Sequence, residues 1–138
     1  YCKDSYFKKK PPKSLDREYF NRYKSLLEKY LSKDAIHTAS IMTVVAILIG
    51  LRKIDNNIIR ILLTGGGRKN KFIYNELSKK LPKIKVELID KYNFNGDLLE
   101  AQMFGYLAVR SLKKLTISNP YTTGAYKAVT GGEIFGKF

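Results

Sequence analysis

A run of three glycines, Gly65–Gly67, is the strongest sign of chemistry in this sequence. The run follows a short apolar stretch, and a helical pattern begins near Asn70. Glycine lets a phosphate or a ring approach the backbone closely, and the start of a helix offers unpaired N–H groups that suit phosphate. The run lacks the Gly-Lys-Ser/Thr of a Walker loop and the spacing of a dinucleotide fingerprint. From the residues alone, a ligand-binding turn and a plain tight turn are equally good interpretations.

Glu100 is the second candidate, because it lies near the predicted start of a helix, three residues after Asp97. This spacing is that of a capping box, with Asp in the Ser/Thr role, which would add about 1 kcal/mol of stability and no chemistry. The alternative places Glu100 at the mouth of a cleft, where it accepts hydrogen bonds from a substrate hydroxyl. On the residues alone we favour the cap.

Other catalytic and metal-binding patterns find little support. The one histidine, His37, lies near hydroxyl side chains on an apolar helical stretch, so a hydrogen-bonded structural role is favoured over a catalytic base. A single His and a single Cys exclude paired-His and Cys-based zinc sites. Cys2 alone excludes a disulfide framework and fits a reducing compartment.

The charge is strongly positive, with 26 Lys and Arg against 12 Asp and Glu, a formal +14. Such a balance suits nucleic acid or a membrane surface. The basic residues are nevertheless spread over every predicted element, whereas nucleic-acid sites concentrate Arg and stacking aromatics on one surface. We interpret the charge as solvated surface, with a basic nucleic-acid-binding module as the alternative.

The elements that must position these candidates alternate between helix and strand. Residues 1–15 are basic and broken by two prolines, which predicts an extended arm. The spacing of apolar residues predicts helices over 16–31, 35–53, 70–81 and 97–115 and strands over 58–63 and 85–89, followed by a tail, 116–138, without clear periodicity. Asp34 should cap the second helix, which is apolar nearly all round and therefore predicted to be buried in a core.

This order predicts an α/β fold with parallel strands. Two strands are fewer than a stable sheet usually has, so we expect the other strands to lie outside this chain. The 138 residues, 44% of them apolar, suit one domain. The chain opens on Tyr1 and not on Met, which we interpret as a piece of a longer product. The opening lacks a signal-peptide pattern, and the longest apolar run, Ile41–Leu51, is shorter than the roughly 20 residues of a spanning helix, so a soluble cytoplasmic protein is expected.

Four stretches together resemble one known family. Residues 63–70, Leu-Thr-Gly-Gly-Gly-Arg-Lys-Asn, look like the adenosine-side glycine motif of the sugar kinase, actin and heat-shock ATPase superfamily. More narrowly they resemble the anhydro-N-acetylmuramic acid kinases, in which Asn stands three residues after a triple glycine. The supporting stretches are Pro11–Ser14 with Arg17–Asn21, then Asp97–Ala108, then Thr123–Ala125 with Gly132 and Ile134. Departures from the family pattern are Leu15 and Asp16 for Thr-Gly, Thr64 for Cys and Leu98 for Ala.

The resemblance implies a cytoplasmic enzyme that uses ATP, with Mg²⁺, to open the 1,6-anhydro ring of anhydro-N-acetylmuramic acid and phosphorylate O6 in cell-wall recycling. It implies two RNase H-like (actin-like ATPase) lobes, with residues 16–138 as most of the C-terminal, nucleotide-binding lobe. Carried over by position, Gly65, Gly66, Gly67 and Asn70 would line the nucleotide, and Glu100 would face the sugar.

The resemblance also implies what this chain lacks. The family's phosphate loop, Gly-Thr-Ser-x-Asp-Gly, and the Asp thought to activate water belong to an N-terminal lobe that precedes this sequence. We therefore expect no catalytic residue, no metal ligand and no detectable kinase activity in this chain alone. The implied partners are ATP, the amino sugar and the missing lobe, with a homodimer left open and neither nucleic acid nor membrane favoured.

Overall fold

Two short apolar runs form a parallel pair of strands. The computed structural model describes residues 1–54 and 57–136. Strand β1 (Arg60–Leu63) pairs with β2 (Lys85–Leu88), in a register that sets Ile61 opposite Val86. The predicted α/β class with parallel strands is therefore confirmed. The division into two RNase H-like lobes stays a prediction.

A helix connects the two strands, as the spacing of its apolar residues predicts. Helix α4 (Lys71–Lys80) starts after Asn70, whose side-chain oxygen accepts hydrogen bonds from the backbone N–H groups of Phe72 and Ile73 at 3.0 and 3.2 Å. Such a cap satisfies two donors that the first turn of a helix leaves unpaired. Leu77, on the inner face of α4, is completely buried.

The core is small and lies where three elements meet: a long helix described next, helix α4 and strand β2. It consists of Val44, Leu77 and Val86, around which further apolar side chains pack. Val44 belongs to helix α3 (Ser32–Leu51) and is the one buried residue of that helix. The expectation of a buried core helix is thus wrong for this chain, because the described elements that pack against α3, mainly α1, α2 and α4, leave most of its residues partly or fully exposed.

Helix α3 also differs from the prediction at its start. It begins three residues earlier than the apolar pattern suggests, at Ser32, and Asp34 lies in its first turn and does not cap it. The residue in the cap position is Leu31, whose side chain makes no cap hydrogen bond. His37 is exposed, with its ring 4.7 Å from the Phe72 ring, so the predicted hydrogen-bonded histidine is also incorrect.

Within the described residues, α3 is the one helix whose length and composition would allow it to cross a membrane. Its 20 residues have a mean hydropathy of 1.8 over the most apolar window. The apolar run Ile41–Leu51 is shorter than the helix, because the helix begins at Ser32 and its first half contains polar residues that do not break it. Core helices of soluble proteins share the same length and composition.

The N-terminal segment folds on itself. It contains a short helix, α1 (Ser5–Lys8), with Phe7 buried, so the predicted arm is not extended throughout. The helix predicted over 16–31 is instead a 3₁₀ helix, Arg17–Tyr23, followed by a single α-turn, α2 (Lys24–Leu27).

A carboxylate explains why these short segments hold together. Asp4 accepts hydrogen bonds from the Tyr19 and Tyr23 hydroxyls at 2.8 and 2.9 Å and pairs with Arg22. Its carboxyl is almost fully buried. These bonds tie Tyr19, Arg22 and Tyr23 of the 3₁₀ helix to the residue that caps α1, so the short segments are held against one another.

The C-terminal part consists of helix α5 (Leu99–Leu112) and a tail that folds back on it. The predicted helix is therefore confirmed but shorter at both ends. The tail contains an isolated antiparallel bridge between Ser118 and Val129. Gly124, with φ +77°, approaches the backbone of Pro12 so closely that a Cβ would lie 2.8 Å from the Pro12 oxygen. The last two residues of the predicted tail, 137 and 138, lie outside the described residues.

Candidate functional site

The three glycines form a tight turn at the carboxyl end of β1. Gly65 has φ +70°, a conformation that side chains disfavour, and the backbone then winds into a 3₁₀ turn over Gly66–Lys69. The N–H groups of Arg68 and Asn70 close this turn on the carbonyls of Gly65 and Gly67. Ligands of parallel α/β sheets bind at the carboxyl edge, where this turn lies.

The turn is open to a ligand. A Cβ built on any of Gly65, Gly66 or Gly67 would meet no atom within 4 Å. The backbone N–H groups of Gly66 and Gly67 make no hydrogen bond within residues 1–54 and 57–136. The backbone is therefore accessible, and it carries donors that an anion or a ring nitrogen can use.

Asn70 follows the turn and has a structural role that its spacing alone did not reveal. Its side-chain oxygen caps α4, as described above, and the side-chain amide nitrogen has no partner among the described residues. The glycine turn leads directly through Asn70 into the N-terminus of α4, and the dipole of a helix favours negative charge at that end.

Glu100 lies in the first turn of α5 and does not form a capping box. The cap position belongs to Leu98, which makes no side-chain cap bond, and α5 begins only at Leu99. Glu100 is exposed and forms no hydrogen bond or ion pair with any residue that the structure describes. The capping interpretation is wrong because Asp97, the expected cap, turns its carboxylate elsewhere.

Asp97 instead binds the two basic residues of the glycine turn. Its carboxylate accepts a hydrogen bond from Arg68 at 2.7 Å and pairs with Lys69 at 2.9 Å. These hydrogen bonds, from Arg68 first and then Lys69, hold the pKa of Asp97 well below its usual range. The segment preceding Glu100 is thus attached directly to the turn.

Arg68 is the central residue that sequence analysis missed. Its side chain is buried, and it donates to Asp90 through two nitrogens at 2.8 and 3.1 Å. The same guanidinium donates to the Gly65 carbonyl at 3.1 Å. The bonds to Asp97 and Asp90 raise the pKa of Arg68 further above its usual value, and the Arg68 bond lowers that of Asp90.

A sequence signal for this cluster exists. Arg68 follows the end of β1, and Asp90 follows the end of β2. Because neighbouring parallel strands end at the same edge, a cation and an anion in these positions are expected to meet.

Two cavities lie at opposite ends of the two strands. One, of about 220 Å³, is bordered by Arg68 and Lys71 at the start of α4 and by Leu88 at the end of β2. A larger one, of about 540 Å³, lies at the opposite end of the strands between the ends of α3 and α4, with Leu48, Leu81 and Ile84 in its wall. None of the residues that line the larger cavity belongs to the glycine turn, so we do not assign the site to it.

Among residues 1–54 and 57–136, no three His, Cys, Asp or Glu side chains come together as a metal site. Asp90 and Asp97, the carboxylates nearest the turn, are both engaged by Arg68. We therefore derive no chemistry through Mg²⁺ from this chain.

The fold and the site together define an α/β protein with a glycine turn and a capped helix at the carboxyl edge of a parallel sheet. Residues 1–137 match the family described as anhydro-N-acetylmuramic acid kinase. The chain belongs to this family.

Curated relatives support the same assignment. The anhydro-N-acetylmuramic acid kinases of Roseobacter denitrificans and Paramagnetospirillum magneticum are 38% and 40% identical over 129 residues each, which is 94% and 93% of this chain. The aligned part is only 34% and 36% of those relatives. The enzyme of the same name from Pelagibacter ubique is 42% identical over 88 residues, 63% of this chain and 24% of the relative. The chain thus spans about a third of the length of the curated relatives it matches.

Proposed function

We propose that this chain is the C-terminal part of an ATP-dependent kinase that opens 1,6-anhydro-N-acetylmuramic acid and phosphorylates its O6. The product would be N-acetylmuramic acid 6-phosphate, formed in the cytoplasm during peptidoglycan recycling. The observation that carries the proposal is the family match over residues 1–137, which includes an open glycine turn where the family motif requires one.

The nucleotide would lie against Gly65, Gly66, Gly67 and Asn70. The open space above the three glycines and the unpaired amides of Gly66 and Gly67 support this placement. The side-chain amide nitrogen of Asn70 adds a further donor. The oxygen of the same amide caps α4, and this cap holds the nitrogen in place. Magnesium bound to the nucleotide would neutralise phosphate charge, with ligands supplied from outside this chain.

The sugar would lie against Glu100. Two features support this role: the carboxylate is exposed, and it has no partner among the described residues, so it is available to accept a bond from a sugar hydroxyl. The Asp97 bonds to Arg68 and Lys69 attach the segment before it to the glycine turn. The nucleotide would therefore be bound by the glycine turn and the sugar by the first turn of α5, which the Asp97 bonds hold next to each other.

Catalysis needs a second lobe. Phosphoryl transfer relies on positioning and on charge neutralisation from both walls of a cleft. The residues that we propose to line the site are three glycines, an amide and one carboxylate, which by themselves cannot neutralise the charge of a transferring phosphoryl group. We expect the isolated chain to be inactive.

The apolar surface of this chain indicates where the remaining two thirds of the enzyme would pack. Most of α3 is only partly covered, and α5 exposes Met103, Phe104, Val109 and Leu112. Large apolar side chains left exposed on two helices are what a missing partner would cover. The partner would be the other part of the kinase, which would also supply further strands.

A chimera tests the proposed function. This chain replaces the matching third of the Paramagnetospirillum magneticum relative, and phosphorylation of anhydro-N-acetylmuramic acid by ATP is measured for the chimera and for the isolated chain. We expect turnover by the chimera and none by the isolated chain. A folded chimera that leaves the sugar untouched contradicts the assigned reaction, and robust turnover by the isolated chain contradicts the need for a second lobe.

The alternative function, a basic nucleic-acid-binding module, remains a separate prediction. It requires binding of DNA or RNA whose logarithmic affinity falls steeply with the logarithm of salt concentration. A flat or absent response across a salt series would rule it out.

A further inference from the structure

Arg68 connects three separate segments through one side chain. Its Nη1 donates to the Gly65 carbonyl in the glycine turn and to Asp97 before α5, while Nε and Nη2 donate to the two oxygens of Asp90 after β2. The side chain is only 7% exposed. All three nitrogens of the guanidinium are therefore used, and together they reach three different segments at the carboxyl edge.

The backbone around this side chain is arranged to admit it. The N–H of Gly65 donates to the Gly96 carbonyl at 3.1 Å, and the N–H of Gly96 donates to Asp90 at 3.4 Å. Gly96 is buried, and a Cβ there would lie 2.8 Å from Cδ of Arg68. The loop between β2 and α5 thus leaves space for the arginine at Gly96, where a side chain would displace it.

We propose that Arg68 is a positioning residue that fixes the glycine turn relative to the start of α5, so that nucleotide affinity depends on its guanidinium fork. This inference rests on the proposed function for the identity of the ligand. Arg68 does not need to touch the nucleotide, because its contacts are with Gly65, Asp90 and Asp97. A planar fork with several fixed donors can hold these acceptors at once, whereas an ammonium group acts as a point charge on a flexible stem.

Two substitutions separate positioning from charge. Arg68→Lys keeps the positive charge and loses the fork, and Arg68→Met loses both. Arg60→Met is the matched control, because Arg60 lies at the other end of β1 and pairs with Glu87 at 3.1 Å, a contact outside the turn. Each chain is compared with the wild type by the dissociation constant for ATP, by melting temperature and by amide hydrogen exchange at Gly65 and Gly96.

We expect both Arg68 variants to bind ATP about tenfold to a hundredfold more weakly, since small displacements of a positioned group have effects of this size. Amide exchange at Gly65 and Gly96 should accelerate in both, while Arg60→Met matches the wild type in exchange and affinity. A merely stabilising arginine would lower the melting temperature and leave ATP affinity and local exchange unchanged, which overturns the inference. Full ATP affinity in Arg68→Lys overturns it as well.

The exchange measurement keeps this inference separate from the proposed function. If the wild type binds no ATP but the Arg68 variants lose protection at Gly65 and Gly96, the nucleotide site is refuted and the positioning of the turn stands. If exchange at these amides is the same in every variant, the positioning role is refuted whatever the wild type does with ATP.

Discussion

Arg68 donates a hydrogen bond to Asp97 across 2.7 Å and thereby joins the glycine turn after β1 to the segment that leads into α5. The bond explains two local features at once. Asp97 is unavailable to cap α5, and the first turn of that helix is held beside the turn that would contact the nucleotide. A single ion pair thus relates the residue proposed to face the sugar to those proposed to line the nucleotide.

Replacing Gly66 by leucine should abolish nucleotide binding and leave the fold intact. The Cβ of residue 66 would meet no atom within 4 Å, so the free energy of unfolding should change by no more than about 0.5 kcal/mol. The added side chain would fill the space where we place the nucleotide. We expect ADP or ATP to raise the melting temperature of the wild type, and this rise should disappear in Gly66→Leu.

Gly50→Leu is the control for that experiment, because Gly50 lies near the end of α3 and also faces open space. It should retain the nucleotide-induced shift. An undiminished shift in Gly66→Leu would show that the nucleotide is placed wrongly.

Asn70 allows the cap to be separated from nucleotide binding. Asn70→Ala removes the bonds to the N–H groups of Phe72 and Ile73 and should cost about 1 kcal/mol of unfolding free energy. Asn70→Asp keeps an oxygen for the cap, so stability should remain near that of the wild type. It also replaces the free amide donor by a negative charge, so nucleotide affinity should fall. Urea unfolding and calorimetric titration with ATP measure the two effects, and equal ATP affinity in Asn70→Asp and the wild type would refute the ligand role.

Glu100→Gln should impair the chimeric kinase without affecting stability. Because Glu100 caps no helix and has no partner among the described residues, its replacement should shift the free energy of unfolding by no more than about 0.5 kcal/mol. Loss of the carboxylate should lower turnover of the anhydro sugar. Steady-state kinetics of the chimera measure this effect, with Gln102→Glu on the same helix as a control. Normal kinetics in Glu100→Gln would remove Glu100 from the sugar site.

Gly96→Ala should destabilise the protein by about 1–3 kcal/mol, the usual cost of overpacking. The new methyl group would lie 2.8 Å from Cδ of the buried Arg68 side chain, which is held by four hydrogen bonds and cannot easily move. Gly105→Ala, in open space on α5, should be neutral or stabilising by up to about 1 kcal/mol because alanine favours the helix. Denaturant unfolding compares the two, and equal stabilities would show that Gly96 is not sterically constrained.

The Asp4 cluster predicts a loss of stability in acid. Desolvation, the largest single influence, raises the pKa of Asp4, but the hydrogen bonds from the Tyr6 N–H and the Tyr19 and Tyr23 hydroxyls outweigh it and lower the pKa to about 2 from 3.8. A lowered folded-state pKa stabilises the folded protein above the unfolded value, and this contribution disappears as pH falls through the folded value. The melting temperature should therefore fall between about pH 4 and about pH 2.

Substitutions of the surrounding tyrosines check the cause of that fall. Tyr23→Phe removes one hydroxyl donor and should reduce the dependence of melting temperature on pH in this window. Tyr30→Phe, on an exposed side chain, should not. Identical pH profiles in the wild type and Tyr23→Phe would contradict the assignment.

Periodicity and local chemistry predicted the elements around the site. The β-branched run before the glycines and the alternating run after α4 form the parallel strands β1 and β2, and the apolar spacing between them forms α4. The glycine turn follows from local sequence too, because only glycine readily adopts the φ of +70° at residue 65. Family membership was also available from sequence, since four motifs occur in the right order along the chain.

Only the tertiary structure decided how charged and capping side chains are paired. Asp97 and Asp34 have the sequence features of helix caps, yet neither caps a helix. The Asp97 carboxylate binds Arg68 and Lys69 instead, and Asp34 lies inside a helix that already begins at Ser32. Arg68 meets Asp90 and Asp97 across 22 and 29 residues of sequence. Likewise, the apolar pattern of α3 indicates burial, but how much of it is covered depends on how many elements pack around it. Local propensity acts over a few neighbouring residues, whereas ion pairing and burial depend on contacts that only the assembled chain creates.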